Sequence, residues 1–278
     1  MSETITGLAQ LSTLKKSDRM PALFIGHGSP MNAIEDNEYR RSWQALGAEF
    51  GQRLPRPQLI LCISAHWLTS GWWLTGMERP RTIHDFGGFP QELFGQQYPA
   101  PGAPAVAREI SGGIAHPPVG LDTGWGLDHG TWSVLKPMFP EADIPVIQLS
   151  MDYARPPAEH LALGRQLMAL RDRGVLIVGS GNIVHNLPVM RWDAPPNQAY
   201  DWAVEFDSRI AGWLEKGDFA ALAEFQQLGS VARLAHPTYD HYLPLLYVAG
   251  AVDPAEPLRF FNTGYQAASI SMRSAVWG

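Results

Sequence analysis

The sequence predicts an α/β protein, a single domain in which a central mixed, largely parallel sheet is flanked by helices on both faces. Two observations favour this class. Short continuous apolar runs, typical of buried strands, alternate along the chain with amphipathic stretches of helical spacing. Strands that are apolar on both faces need helices on each side of the sheet. The 278 residues also show no internal repeat, low-complexity tract or break in composition, which favours one domain over two.

The individual elements follow from local pattern. Residues 21–26 form an apolar run that ends in glycine, which indicates a strand. In residues 37–50, Tyr39, Trp43 and Leu46 recur three to four positions apart, as in an amphipathic helix. Further apolar runs predict strands at residues 59–63, 72–75, 144–149 and 175–178, and one or two closing strands within 258–277. Helical spacing predicts further helices at residues 158–173, 200–216, 218–227 and 239–250.

Residues 1–20 are polar and show no periodic pattern. We expect them to form a flexible N-terminal leader, with the folded domain over residues 21–278. They contain no apolar stretch of signal-peptide length, and the Lys15-Lys16 pair follows their weakly apolar part. No segment approaches the ~20 apolar residues of a membrane span. These features predict a cytoplasmic protein that does not enter a membrane.

Charge and cysteine content narrow the function classes. The chain has 21 Lys and Arg against 27 Asp and Glu, a formal charge of −6, and no basic run. This balance argues against binding to nucleic acid or to an anionic membrane. The single cysteine, Cys62, excludes an intramolecular disulfide and fits a reducing compartment. Because Cys62 lies inside an apolar run, we interpret it as a core residue.

Histidines carry most of the chemical information. His27, His66 and His185 follow the carboxyl ends of three predicted strands, where α/β sheets bind their ligands. His241 stands at the start of a predicted helix, and His129 lies in a segment bounded by glycines. Imidazole is the commonest protein ligand for zinc and also suits iron and copper. A single loop histidine is more often a hydrogen-bonding residue, and no His-Glu-x-x-His signature is present, so spacing alone leaves the metal site a hypothesis.

The remaining candidates are weaker. His236 lies close to His241 in sequence and is the next ligand candidate, whereas we expect the other histidines at the surface or in loops: His84, His116 and His160. Most tryptophans are expected in the core. Those that flank the histidine segments could wall a pocket for a flat ring: Trp67, Trp125 and Trp132.

Seven short motifs, in this order, resemble the DOPA 4,5-dioxygenase family of class III extradiol ring-cleaving dioxygenases, the LigB-like enzymes. They are Gly26-His27-Gly28-Ser29-Pro30, Ser64-Ala65-His66-Trp67, His84-Asp85-Phe86-Gly87-Gly88-Phe89-Pro90, Tyr98-Pro99-Ala100-Pro101-Gly102, Leu127-Asp128-His129-Gly130-Thr131-Trp132, Gly181-Asn182-Ile183-Val184-His185-Asn186-Leu187 and His241-Tyr242-Leu243-Pro244-Leu245. The similarity runs from about Met20 to the C-terminus. It is specific to the family but not to one substrate.

The resemblance implies a single divalent metal held by His27, His66 and His241. It implies that His185 is an acid–base residue or an additional ligand, and that His129 faces the oxygen site. The protocatechuate-cleaving relatives have a glutamate at the position of His241. The all-histidine set lacks this anionic ligand and favours Zn²⁺ as the bound metal, whereas the oxygen chemistry requires Fe²⁺. The implied reaction inserts both atoms of O₂ into a catechol ring next to the diol and gives a ring-opened semialdehyde.

Two other functions use the same residues. In a zinc-dependent hydrolase, His185 would activate a metal-bound water. A non-catalytic protein that sequesters a metal or a catechol would need only the ligands. The identity of the catechol and the choice between a monomer and a small homo-oligomer stay open at the level of sequence.

Overall fold

The computed structural model describes residues 7–278 and contains one large mixed sheet. Eight strands form this sheet in the described chain: β1 (Ala22–Gly26), β2 (Leu59–Thr69), β3 (Trp72–Thr75), β5 (Val119–Asp122), β7 (Val146–Asp152), β8 (Val175–Gly181), β9 (Leu258–Phe261) and β12 (Ser274–Trp277). Two small two-stranded ladders lie outside it: β4 (Arg81–Thr82) with β6 (Gly126–Leu127), and β10 (Tyr265–Gln266) with β11 (Ile270–Ser271).

The strand order in the sheet is β5-β3-β7-β2-β8-β1-β12-β9. The four central strands, β7, β2, β8 and β1, all run parallel to one another. Antiparallel pairs join β3 to β7, β1 to β12 and β12 to β9. The carboxyl ends of the four parallel strands therefore open at one edge, and this edge positions the site described below.

Helices cover both faces of the sheet. They are α1 (Glu38–Glu49), α2 (Gln91–Phe94), α3 (Pro104–Gly113), α4 (His129–Met138), α5 (Pro157–Leu167), α6 (Asp201–Lys216), α7 (Phe219–Ala223), α8 (Ser230–Ala235) and α9 (Leu243–Gly250). Trp43 of α1 and Trp132 of α4 pack in one core, with Ile25 of β1. Phe24, which points the other way from β1, packs with residues of α5, α6 and α9. The predicted α/β class and its two-sided packing are confirmed.

Some boundaries differ from the sequence prediction. The helix expected to reach Arg173 ends at Leu167 and continues as a 3-10 helix, Met168–Arg173. The helix expected over 239–250 begins only at Leu243, so His241 precedes it. In both cases the apolar spacing continues from the α-helix into an adjacent turn or 3-10 helix. The pattern alone therefore predicts an α-helix that is too long.

Residues 7–20 do not form the expected loose leader. Leu8, Leu11 and Leu14 are buried in the main core, and a short 3-10 helix, Leu8–Gln10, packs against α3. The three leucines recur every third position, and this local spacing lets an otherwise polar segment bury one side. Residues 1–6 of the expected leader lie outside the described part of the chain. In residues 7–278, no helix combines the length and apolar character that crossing a membrane requires.

His160, expected at the surface, is fully buried on the face of α5 that packs against α9. Its Nδ1 lies 2.8 Å from the Tyr247 hydroxyl, which accepts a hydrogen bond of 2.7 Å from Trp72 Nε1. Tyr247 therefore donates to a neutral His160, and burial lowers the pKa of His160 to about 4. These three buried polar side chains are tolerated in the core because each of them has a hydrogen-bond partner.

We expect Tyr247→Phe to lower the free energy of unfolding by about 1–3 kcal/mol, because it leaves Trp72 Nε1 and His160 Nδ1 buried without partners. Urea unfolding at pH 7.5 measures the change. Tyr200→Phe is the matched control: its hydroxyl donates 3.0 Å to the Val189 carbonyl at the surface, so its loss should cost less than about 0.5 kcal/mol. Equal losses of unfolding free energy in both variants would contradict a structural role for the hydrogen bonds of Tyr247.

Candidate metal centre

His27 and His66 come to the sheet edge from two of the parallel strands. His27 directly follows β1, and its backbone N–H donates to the Gly181 carbonyl at the end of β8, at 3.0 Å. His66 was expected to end its strand, but it lies within β2. The register of β2 against β7 shifts between Ile63 and Leu68. This irregularity re-aims the side chains of the intervening residues and brings His66 toward His27.

His241 and His185 reach the same edge from loops. The His241 carbonyl accepts a hydrogen bond of 2.8 Å from Asn182 N–H, just beyond β8, which fixes His241 ahead of α9. His185 was expected in a flexible loop. Its backbone instead bridges to Ile270, and its N–H donates to the Ala235 carbonyl at 3.0 Å. Both loop histidines are therefore held by backbone hydrogen bonds.

The predicted ligands His27, His66 and His241 form one cluster, in which one ligand atom of each lies within 4.8 Å of the others. His27 Nε2 and His66 Nε2 are 3.2 Å apart. Two nitrogens bound to one ion at about 2.0–2.1 Å are separated by roughly 2.9–3.4 Å at octahedral or tetrahedral angles. The donor set and the spacing therefore fit a single divalent metal.

Hydrogen bonds to Nδ1 orient two of these rings. Ser180 Oγ donates to the Gly130 carbonyl at 2.5 Å, so it accepts from His27 Nδ1, 3.0 Å away. His241 Nδ1 lies 2.6 Å from a carboxylate oxygen of Asp240 and donates to it. A proton on Nδ1 leaves the lone pair on Nε2, which is how outer partners prepare histidine for a metal.

Burial favours the neutral form of the cluster. Burial, followed by the proximity of other histidines, holds the pKa of His27 and of His241 well below the usual value. Burial also lowers the pKa of His185 to about 4. These imidazoles are therefore unprotonated at neutral pH, the form in which histidine binds a metal or accepts a proton.

His129 belongs to a second group, with His66 and Asp85. Asp85 accepts from the backbone N–H and from Nδ1 of His129, both at 2.9 Å, and its other near neighbour is His66 Nδ1 at 3.6 Å. Asp85 is thus engaged with His129 on both oxygens and orients its ring. Sequence reasoning did not single out Asp85. The available signal was its place in the motif His84-Asp85-Phe86.

The start of α4 fixes His129. Asp128 caps the helix by accepting from Thr131 N–H at 3.1 Å, and it also accepts from Ser64 Oγ at 2.6 Å and Gln148 Nε2 at 2.7 Å. Gly130 follows His129 at a point where a Cβ atom would collide with Ser64 Oγ. Glycine therefore lets α4 approach β2 closely enough to bring His129 over His66, with ring centroids 3.8 Å apart.

All five histidines of the site line one cavity of about 390 Å³. The His185 ring stacks on His241, with centroids 3.5 Å apart and planes 4° from parallel. The apolar part of the wall comes from Pro30, Phe86, Phe89, Leu187, Met190, Trp192 and Ile270.

Several other expectations do not match this cavity. Trp67 and Trp125 stack on each other, and Trp132 is buried beneath Phe86 and His84, so the expected aromatic wall comes from other residues. His236 lies outside the lining, and its Nε2 is 2.6 Å from the Ile183 carbonyl. His84 lies beside the cavity wall, with Nε2 2.9 Å from the Gln96 carbonyl.

Comparison with known proteins agrees with this geometry. Residues 21–276 match the family described as the catalytic LigB subunit of aromatic ring-opening dioxygenase. The chain belongs to the LigB family of extradiol ring-cleaving dioxygenases. It is 49% identical over 271 residues to "4,5-DOPA dioxygenase extradiol" of Escherichia coli K12, an alignment that covers 95% of this chain and 97% of that protein.

Similar proteins are found outside bacteria and among solved structures. The protein of the same description from Beta vulgaris is 35% identical, over 90% of this chain and 94% of its own length. A crystal structure of an uncharacterised protein of E. coli K12 superposes with a TM-score of 0.81 at 45% identity. It covers 94% of this chain and 100% of the solved one. The resemblance seen in the sequence is thereby confirmed at the level of family and fold.

We expect His241→Ala, His27→Ala and His66→Ala each to reduce metal affinity by more than the about 10- to 100-fold that loss of an outer partner costs. Each change removes one of three protein ligands. Metal competition titrations, with elemental analysis after dialysis, measure the loss.

His129→Gln is the matched control, because His129 belongs only to the second group of possible ligands. It should retain metal close to the unaltered level. Metal loss in His129→Gln together with retention in His241→Ala would instead assign the ion to the group of His66, Asp85 and His129.

Proposed function

We propose that this LigB-family chain cleaves a catechol next to its diol, inserting both atoms of O₂ to give a ring-opened semialdehyde. The observation that carries the proposal is the convergence of His27, His66 and His241 in the cavity, with His185 stacked on one of them. Relatives described as 4,5-DOPA dioxygenases support a catechol as the substrate class.

His27, His66 and His241 would hold one divalent metal through Nε2. A bound ferrous ion would supply Lewis acidity toward the diol and the redox chemistry that oxygen requires. Three neutral ligands also suit Zn²⁺, which has no redox chemistry, and we therefore propose Fe²⁺ as the catalytic metal.

His185 is the proposed acid–base residue. Across residues 7–278, neither of its ring nitrogens has a hydrogen-bond partner, and the ring lines the cavity beside His241. It is neutral at pH 7, so it can accept a proton from a catechol hydroxyl. The proton taken from the diol returns to the product during ring opening, so the reaction needs no net proton.

His129 is the proposed second proton-handling group. Its Nδ1 donates a hydrogen bond of 2.9 Å to Asp85, which orients the ring. Nε2 is therefore the ring nitrogen of His129 that can face a ligand in the cavity. His185 and His129 then offer two histidines of different environment, one without a carboxylate partner and one with it.

Oxygen consumption tests the function directly. After anaerobic reconstitution with Fe²⁺, addition of catechol and air should consume one O₂ per ring opened and produce a coloured semialdehyde. With ¹⁸O₂, one labelled atom should appear in the new carboxylate and the other in the aldehyde, which must be trapped before its oxygen exchanges with water. No O₂ uptake, together with Zn²⁺-dependent hydrolysis of ester or amide substrates, would indicate the zinc hydrolase, and stoichiometric catechol binding without turnover would indicate a binding protein.

We expect His185→Gln to keep near-normal iron content while ring cleavage falls about 100- to 10,000-fold, the usual cost of losing a general acid–base. Glutamine retains a hydrogen-bonding side chain but does not take up a proton at neutral pH. Raised pH, at which the catechol ionises unaided, should restore part of the activity. Loss of iron in step with activity would show that His185 is a ligand, and His129 would then be the base.

A further inference from the structure

The charges around the cavity bear on which catechols can enter it. Within the described residues, its lining contains no lysine or arginine, and its one carboxylate is Asp85. Asp240 adds a second carboxylate behind His241, at 2.6 Å from Nδ1. The two carboxylates carry the same total charge, of opposite sign, as one divalent ion. A loaded site therefore has no excess positive charge with which to bind an acidic ring substituent.

The polar groups of the outer wall are already bonded to one another. Gln266 Oε1 accepts from Ser29 N–H at 3.0 Å, and Gln266 Nε2 donates to Asn32 Oδ1 at 2.9 Å. Gly28, at φ +56°, passes so close to Gln266 that a Cβ atom would collide with its side-chain oxygen. The Gln266 side-chain amide is therefore held in place by its own neighbours, and this part of the wall offers no cationic group to a carboxylate.

The mouth of the cavity is apolar and exposed. Leu187 and Trp192 are 56% and 75% exposed, and they line the cavity together with Phe89 and Met190. Arg191, between two of these residues, is half-exposed and forms an ion pair of 3.6 Å with Asp193. A ring substituent that projects from the metal centre would contact apolar side chains first.

A second groove continues outward from this mouth. It shares Ser29, Phe89, Trp192 and Gln266 with the cavity, and its ionisable lining includes Glu35 and Glu38. In the described chain this groove also lacks a lysine or arginine. An anionic substituent would approach past these two carboxylates and lose hydration at an apolar wall, with no lysine or arginine in either lining to compensate its charge.

We propose that this mouth selects catechols whose ring substituent is uncharged or cationic and discriminates against those with an anionic substituent. The proposal rests on the catechol-cleaving function proposed above and adds its substrate class. Leu187 and Trp192 are the specificity-determining residues at the mouth, and Glu35 and Glu38 extend the discrimination to longer substituents.

Two matched substrate pairs test the selection on the Fe²⁺-loaded protein. Dopamine and dihydrocaffeate carry opposite charges on two-carbon chains, and protocatechuate and its methyl ester differ in charge on the same carbonyl. We expect kcat/KM to be at least tenfold higher for dopamine and for the ester than for their acidic partners. Equal values, or higher values for the acids, would overturn the proposal.

Unsubstituted catechol distinguishes a failure of the proposed selection from a failure of the proposed ring cleavage. If the protein consumes no O₂ with any of the five catechols, the proposed ring cleavage itself fails. If plain catechol is cleaved but the acids are preferred, ring cleavage stands and the selection proposed here is wrong.

A charge introduced at the mouth tests whether the mouth residues cause the preference among substrates. Leu187→Lys should raise kcat/KM for dihydrocaffeate relative to dopamine by about tenfold, because it adds a cation to the apolar wall. Val204→Lys is the matched control: Val204 is exposed on α6, outside the linings of both cavity and groove, and its change should leave the ratio unaltered. An unchanged ratio in Leu187→Lys, or equal changes in both variants, would contradict a role of the mouth.

Discussion

The close packing of neutral imidazole rings at the carboxyl edge of the sheet is the constraint on which the site depends. His27 lies 5.1 Å from His66 and 5.3 Å from His241 between ring centroids. Protonation of any one ring would place a cation among buried neighbours, so burial and proximity lower the pKa values of the cluster. His27 Nε2 and His66 Nε2 lie only 3.2 Å apart, and a shared divalent cation would use one lone pair from each of the three rings.

The fold satisfies this constraint through groups that are not ligands themselves. Ser180 of β8 and Asp240 bind the outer nitrogens of His27 and His241, so that both rings present Nε2. Asp128 joins β2, β7 and α4 in one buried network, and this holds His129 and its partner Asp85 above His66. The parallel sheet therefore determines the geometry of the site, because it brings residues that are distant in sequence to one edge at fixed spacing.

Much of the architecture could be predicted from sequence because its signals are local. Apolar runs such as 59–63 and 175–178 indicated the central strands, and the position of His27 after β1 indicated the edge at which it lies. Errors arose where a long-range contact outweighs local pattern. His160 looked like a surface residue because its partner, Tyr247, is 87 positions away. Leu8 and Leu11 looked like part of a leader because the surface that buries them is formed by later segments.

The site was predicted less completely than the fold. Histidine is rare enough for its positions to be noticed, whereas Asp85 is one of many acidic residues, and only its contact with His129 distinguishes it. The apolar mouth was also missed, since Leu187 and Trp192 belong to a loop without periodic pattern. Sequence reasoning therefore found the metal-binding candidates but not the residues that orient them or that form the apolar mouth of the cavity.

Anomalous diffraction from crystals of the Fe²⁺-loaded protein tests the central claim most directly. The account predicts one strong peak at about 2.0–2.2 Å from Nε2 of His27, His66 and His241, with Asp85 and His129 outside bonding distance. A peak within bonding distance of Asp85 and His129, but remote from His27 and His241, would contradict it.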